Sequence, residues 1–278
     1  SDQVVAGLPP QVAEAVRAYA ASRPALVTAT EGFVAAIREL LDDAGINYLA
    51  VTGRTKTVES FAGKAIRERD GEAAHPDPLH DITDQIGVRV VTYVESDVLA
   101  AAGILSDQLT VLDDRDLGRE TARAGRFGYA SRHLLVCFGG GDEGGGTAYD
   151  PARCVSVQLR TVLQHAWAEF EHEIRYKGVV PAEHAAELDR RFTLAAGLLE
   201  LADHELTAIR QTIQAGLGEA RLDAEEPRAP RITGEELSAF LAGRYASAGW
   251  SRNDHYEWMS ALLDELGIKT LDELSDML

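Results

Sequence analysis

The chain has 278 residues, 45% of them hydrophobic, with a formal net charge of -18 and a pI near 4.8. That charge opposes a broad footprint on nucleic acid or on an anionic membrane and leaves only local basic patches for such partners. No signal peptide, lipidation motif or apolar run of spanning length is present, so a cytoplasmic protein with no membrane partner is expected. Cys137 and Cys154 lie in apolar, strand-like contexts without metal spacing, and buried thiols in a reducing compartment are expected.

Helical periodicity covers Pro9 to Ala21 and Leu26 to Ala44, and Gly45 stops the second helix. A short strand, Asn47 to Val51, leads through Thr52-Gly53-Arg54-Thr55-Lys56-Thr57 into a helix carrying Val58, Phe61, Ala65 and Ile66. Lys56, Ser60 and Lys64 are four apart, so they stack on one helix face and, with Arg54, can line an anion groove at the helix N-terminus. A solvated basic face is the other reading of the same residues. The Gly-Lys-Ser/Thr ending of a Walker loop is missing.

After a polar loop, Gly71 to Pro78, the run Ile86 to Val94 is β-branched and nearly all apolar, as in a central strand covered on both faces. Arg89 interrupts it. A charge there requires a structural ion pair or a ligand, which marks Arg89 as a site candidate together with Asp84 at the strand entrance. A helix from Ser96 to Ser106 and a strand near Gln108 to Leu112 follow. The segment Asp113 to Phe127 is polar and holds Arg115, Arg119, Arg123 and Arg126. It reads as a surface helix or as a loop that orders on an anionic substrate. Gly128-Tyr129-Ala130-Ser131-Arg132-His133 enters a strand, Leu134 to Phe138; glycine-rich Gly139 to Gly146 connects it to the next, Cys154 to Leu159.

Near Thr161 the period changes from that of a strand to that of a helix. Leu159, Leu163, Ala166, Trp167, Phe170 and Ile174 then fall in one apolar arc, opposite a polar wall of Arg160, Gln164, His165, Glu169, Glu171, His172 and Arg175. His165 and His172 lack the spacing that favours zinc chelation from a helix. In a long helix, Pro181 to Gly216, Leu188, Phe192, Ala195, Leu199, Ala202 and Leu206 form one apolar face, and Leu194 and Leu201 are left over as a second stripe that could meet another subunit. Glu219 to Arg231 is charged and proline-bearing, a linker. Three short helices follow, two with capping boxes (Thr233 with Glu236, Thr270 with Glu273). The expected division is 1–218 as the main domain, 219–232 as linker and 233–278 as a helical module.

Taken in order, four clusters resemble the synthetase domain of the RelA/SpoT family, which makes the alarmones ppGpp and pppGpp. Gly53-Arg54-x-Lys56 with Ser60 and Lys64 resembles its ATP-phosphate motif, and Asp84-x-x-Gly87-x-Arg89 its magnesium-aspartate strand with the adenine-packing arginine. Gly128-Tyr129-x-Ser131-x-His133 resembles the acceptor-nucleotide motif. Gln158-x-Arg160-Thr161, running into Trp167, Glu171-His172 and Tyr176-Lys177, resembles the closing strand and helix.

The resemblance implies an α+β fold: a mixed sheet of about five strands flanked by helices, nucleotidyltransferase-like, with added helices at both ends. It implies pyrophosphate transfer from ATP to the 3′-hydroxyl of GDP, GTP or GMP. Arg54, Lys56, Ser60, Lys64 and Arg89 would bind ATP, and Asp84 would hold Mg²⁺. Arg123, Arg126, Tyr129, Ser131, His133, Gln158 and His165 would bind the acceptor, with Ser156, Gln158, Arg160 and Glu171 beside the chemistry. Two further implications are a homo-oligomer, tetramers being common among small synthetases, and synthesis without a hydrolase half.

One position departs from the pattern. The family's glutamate two residues before Gln158, thought to support magnesium and activate the acceptor, is here Ser156. Losing a general base costs about 10²- to 10⁴-fold in rate, so reduced activity is implied unless Glu169 or Glu171 compensates. The alternatives at this stage are a toxin-type enzyme that pyrophosphorylates the 3′ end of tRNA, and a nucleotide-binding pseudoenzyme.

Overall fold

The computed structural model describes residues 2–69, 71–117, 131–139, 149–177, 184–222, 231–245 and 251–278. Two compact units are formed, one from Ser1–Leu40, Leu49–Val91 and Ala102–Arg160, the other from Leu41–Tyr48, Thr92–Ala101 and Thr161–Leu278. In chain order the elements begin with α1 (Asp2–Val5), α2 (Pro10–Asp43), β1 (Tyr48–Thr55), α3 (Val58–Ala65), β2 (Glu68–Arg69), β3 (Glu72–Ala73) and α4 (Pro78–Asp81). They continue as β4 (Ile86–Thr92), α5 (Glu95–Gln108), β5 (Thr110–Asp116), β6 (Arg132–Cys137) and β7 (Cys154–Thr161). The remainder is helical: α6 (Val162–Lys177), α7 (Ala185–Leu222), α8 (Gly234–Arg244), α9 (Asn253–Glu265) and α10 (Leu271–Met277).

The first unit is organised on a five-stranded sheet of order β1-β4-β7-β6-β5, as the α+β expectation required. β5, β6 and β7 are antiparallel neighbours, with Arg115 opposite His133 and His133 opposite Gln158. Strand alternation sorts β7 cleanly. Val155, Val157 and Leu159 are fully buried, while Ser156, Gln158 and Arg160 share the other, half-open face. β4 follows the same rule, with Val88 and Val90 buried and Gly87 and Arg89 on the open side.

Three expectations are corrected in this unit. The two N-terminal helices are one, α2, which runs straight through Pro24. Proline removes one backbone donor, but Val16, Tyr19, Leu26, Phe33 and Ile37 form one buried stripe on either side of it, and that burial outweighs the lost bond. Second, Cys137 and Cys154 are not free thiols. They face each other across β6 and β7 with Cα atoms 4.0 Å apart and are joined in a disulfide, so the compartment inferred from free thiols loses its basis. Third, β5 extends to Asp116, beyond the strand end expected at Leu112.

In the second unit Thr161 caps α6: its hydroxyl accepts from Gln164 N at 3.1 Å, and its own N–H donates to Gln164 Oε1 at 3.0 Å. The same hydroxyl donates to the buried Asp203 carboxylate on α7 at 2.6 Å. Arg210, two turns further on, pairs with buried Asp97 at 2.6 Å. Trp167 packs against Phe192, but Phe170 is 52% and Ile174 44% exposed, so the apolar arc expected on α6 is only partly covered.

The three C-terminal helices close their own core around Ile232, Leu237, Tyr256 and Leu274, with both expected capping boxes present. They are also fastened to the turn after α2. Ser251 Oγ donates to Gly45 O at 2.6 Å, Ile46 and Ser251 form a β-bridge, and Arg252 pairs with Asp42 at 2.8 Å.

Candidate active site

The local fold dictates a meeting of charges at the entrance to α3. Thr57 is the N-cap, its oxygen accepting from Ser60 N at 3.1 Å, and this fixes the backbone where β1 turns into the helix. Lys56 N donates to Gln85 O at 2.8 Å, so the chain just before α3 is bound to the chain just before β4. The side chains on either side of that bond then converge. Lys56 Nζ lies 2.7 Å from Asp84 Oδ2, and Lys64 Nζ reaches Asp84 Oδ1 at 3.0 Å from the last turn of α3. Burial pushes the Asp84 carboxyl up, but the hydrogen bonds and charges of the two lysines overcome it and hold the group below its ordinary range.

α2 supports this corner from behind. Tyr19 Oη and Arg23 Nε donate to Lys56 O at 2.7 and 3.0 Å, and the Tyr19 ring stacks on Phe61 of α3 with centroids 4.1 Å apart. Ser60 stands next to the cap, its hydroxyl 3.0 Å from that of Thr57. Beside the corner opens a cleft of about 110 Å³ lined by Thr52, Gly53, Arg54, Gly87, Val88, Arg89 and Gln158. Gly53 permits the close approach of β1 to α2, because a Cβ there would meet Thr30 and Val34. Arg54 passes over Gly87, within 3.7 Å of where a Cβ would lie, with the Ser156 carbonyl at 3.8 Å.

Across the sheet the open face continues as the row Arg115, His133, Gln158. Ser131 Oγ is 2.7 Å from His133 Nε2, and burial, followed by the charges of Arg160 and Arg115, pushes the imidazole down to about 4. His133 is therefore a neutral hydrogen-bonding group at physiological pH. In a chain of net charge -18 this face and its rim carry Arg54, Lys56, Lys64, Arg89, Arg115 and Arg160, with Lys56 and Lys64 on Asp84, a surface suited to a phosphate-rich ligand.

The structure thus brings together Arg54, Lys56, Lys64, Asp84, Arg89, Ser131, His133, Ser156, Gln158 and Arg160 on one sheet face and its rim. His165 and Glu171 lie on α6, in the second unit, where His165 Nδ1 is 3.8 Å from Glu169 Oε1. Arg123, Arg126 and Tyr129 lie outside the described residues. Four further residues were missed by the sequence reading. Tyr19 and Arg23 sit in a helix whose periodicity gives no sign that it braces a strand 37 residues on. Arg115 falls in a segment whose sequence suits either a surface helix or a loop that orders on an anionic substrate, and Tyr149, whose buried phenol lies among Asp84, Tyr19 and Gln85, carries no signal of its own.

The chain is similar to known proteins. A family profile described as the region found in RelA / SpoT proteins matches residues 53–180. The GTP pyrophosphokinase YjbM of Bacillus subtilis (strain 168) is 31% identical over 171 residues, covering 59% of this chain and 72% of the relative. The chain belongs to the RelA/SpoT family. Among solved structures of such proteins, small alarmone synthetase 1 from Bacillus subtilis aligns with a TM-score of 0.52 and 25% identity, over 68% of this chain and 94% of that one. The same synthetase bound to its product pppGpp aligns at 0.51 with 27% identity, over 67% and 93%. The matched stretch contains Arg54, Lys56, Lys64, Asp84, Arg89, His133, Ser156, Gln158 and Arg160 and leaves out the bracing Tyr19 and Arg23.

Proposed function

We propose that the protein is a small alarmone synthetase that moves the β,γ-pyrophosphoryl group of ATP to the 3′-hydroxyl of GDP, GTP or GMP. In this reaction the hydroxyl oxygen forms a bond to the β-phosphorus, the bond from that phosphorus to the α,β-bridging oxygen breaks, AMP leaves and the hydroxyl proton is lost. The observation that carries the reading is the convergence of Lys56 and Lys64 on Asp84 beside a cleft lined by Arg54, Arg89 and Gln158. Transfer of this kind needs little covalent help from the protein and much positioning and charge stabilisation.

Lys56, Lys64 and Arg54 hold the donor phosphates, Ser60 and the N–H groups at the α3 N-terminus donate to their outer oxygens, and Arg89 packs on the adenine. Gln158, His133 and Ser131 orient the acceptor, Arg160 neutralises charge developing near β7, and Arg123, Arg126 and Tyr129 hold its phosphates and base. Among the described residues no group of three carboxylate, histidine or cysteine side chains could hold an ion unaided, but one carboxylate suits magnesium, which keeps phosphate and water ligands. Asp84, one-third exposed, fits that role; bound there, Mg²⁺ would neutralise charge on the transferring phosphates.

The reading extends to assembly and place. Leu194, Leu198, Leu201 and Ile209 leave an exposed stripe on α7, each more than half exposed, which supports a homo-oligomer built through that helix. Among the described residues no helix is long and apolar enough to cross a membrane, which agrees with work in the cytoplasm on soluble nucleotides. The test is to incubate the protein with ATP, Mg²⁺ and GDP or GTP and to separate the nucleotides. Guanosine tetra- or pentaphosphate with equimolar AMP is expected; absence of these products from both the wild type and Ser156→Glu would end the reading.

A further inference from the structure

The lysines and the aspartate of the donor corner occupy one another. Lys56 Nζ sits on one carboxylate oxygen of Asp84 at 2.7 Å and Lys64 Nζ on the other at 3.0 Å, so both oxygens that face the corner already carry a cation. Two ammonium groups against one carboxylate leave a charge of +1. A hydrated divalent cation approaching Asp84 would meet repulsion and would have to displace charge-assisted hydrogen bonds. A polyphosphate meets the opposite field, reinforced by the N-terminus of α3 and by Arg54 at the cleft wall.

The lysines also have the freedom to change partners. Lys56 is fixed by its backbone, through Gln85 O, Tyr19 and Arg23, while its four-carbon side chain carries the charge. Lys64 is 28% exposed on the last turn of α3. Phosphate oxygens entering beside them offer stronger and more numerous acceptors than one carboxylate.

We propose that the free protein is an anion site and that Asp84 becomes a metal site only when a polyphosphate arrives and draws Lys56 and Lys64 off its two oxygens. The protein then takes the metal together with, or after, the donor polyphosphate, and never before it. This rests on the donor-nucleotide reading of the same corner.

The experiment is a Mn²⁺ titration followed by paramagnetic broadening of the backbone amides of Gln85 and Gly87. Without polyphosphate, wild-type amides stay sharp at Mn²⁺ concentrations that broaden them in Lys64→Met, the midpoint shifting by about tenfold. Lys56→Met does the same and guards against a folding defect in the first variant. Inorganic tripolyphosphate restores broadening in the wild type, and Asp84→Asn suppresses it in every case. Broadening of the free wild type at the midpoint of Lys64→Met, dependent on Asp84 and indifferent to tripolyphosphate, overturns the order. Calorimetry with a non-hydrolysable ATP analogue separates the two levels: no binding ends the nucleotide reading and the order with it, whereas binding with the wrong Mn²⁺ result ends the order alone.

Discussion

Arg115 stands directly across the β5–β6 ladder from His133, and it does so because β5 carries an irregularity between Val111 and Asp113. Without the extra residue the alternation would place Asp114 opposite His133 and turn Arg115 to the other face. With it, Asp114 faces away and binds Arg132 through two hydrogen bonds of 2.9 and 2.7 Å. One inserted residue therefore decides that the site face carries a cation at this point.

His133 gives a pH prediction. Its folded pKa, about 4, lies below the unfolded value near 6.5, so the unfolded chain binds more protons between these values. Stability from this group is present above pH 6.5 and is lost as pH falls through about 4. Melting temperatures of the wild type are expected to drop more steeply than those of His133→Asn over that window; parallel curves would contradict the assignment.

Ser156 gives a prediction on rate. Its side chain shares the open face of β7 with Gln158 and Arg160, where a carboxylate could reach the acceptor hydroxyl. Ser156→Glu is expected to raise turnover by about 10²-fold, the lower bound for restoring a general base, with little change in KM for ATP. Asp84→Asn in the same background is expected to abolish that gain. Product formation under saturating nucleotides measures both.

Tyr19 gives a prediction on the brace. Tyr19→Phe keeps the stack on Phe61 and removes only the hydrogen bond to Lys56 O, at a cost of about 1 kcal/mol. Tyr19→Ala also empties a fully buried site, at a cost of about 3 to 5 kcal/mol. Denaturant midpoints distinguish the two. The phenylalanine variant is also expected to raise KM for ATP, since the backbone that aims Lys56 is loosened.

Asp203 gives a prediction in the second unit. Its carboxylate accepts from the Thr161 hydroxyl with both residues buried, so Asp203→Ala takes this acceptor from the hydroxyl proton, while the hydroxyl oxygen still accepts from Gln164 N, at a cost of about 1 to 3 kcal/mol. Asp203→Asn keeps an acceptor and is expected to lose less. Urea unfolding of the two variants beside the wild type tests the difference.

Most of the fold is legible in the sequence because strand and helix periods are properties of short segments. β4 and β7 are legible as strands, although β4 has Gly87 and Arg89 on an open side where its apolar run predicts cover on both faces, and the capping boxes at Thr233 and Thr270 follow from residues three apart. Lys56, Lys64, Asp84 and Gln158 were legible as chemistry, and their convergence followed from a family likeness rather than from spacing. Features that depend on register or distant packing were not legible. The disulfide needs Cys137 and Cys154 in the same ladder row, the face of Arg115 depends on one irregular residue, and α2 survives Pro24 through burial on both sides. Phe170 and Ile174 failed as core residues because amphipathic pattern says which side of a helix is apolar, not whether anything covers it.

Gly45 has a φ of 65°, in the left-handed region, and a Cβ on it would collide with the Ser251 hydroxyl and the His255 ring. Two constraints coincide there. The turn alone would admit asparagine, as left-handed positions commonly do, but the docked tail forbids any side chain. A homologue without the C-terminal helices would be released from the stricter demand, and the residue at this position would then mark, in a sequence alone, whether a tail is seated on the turn.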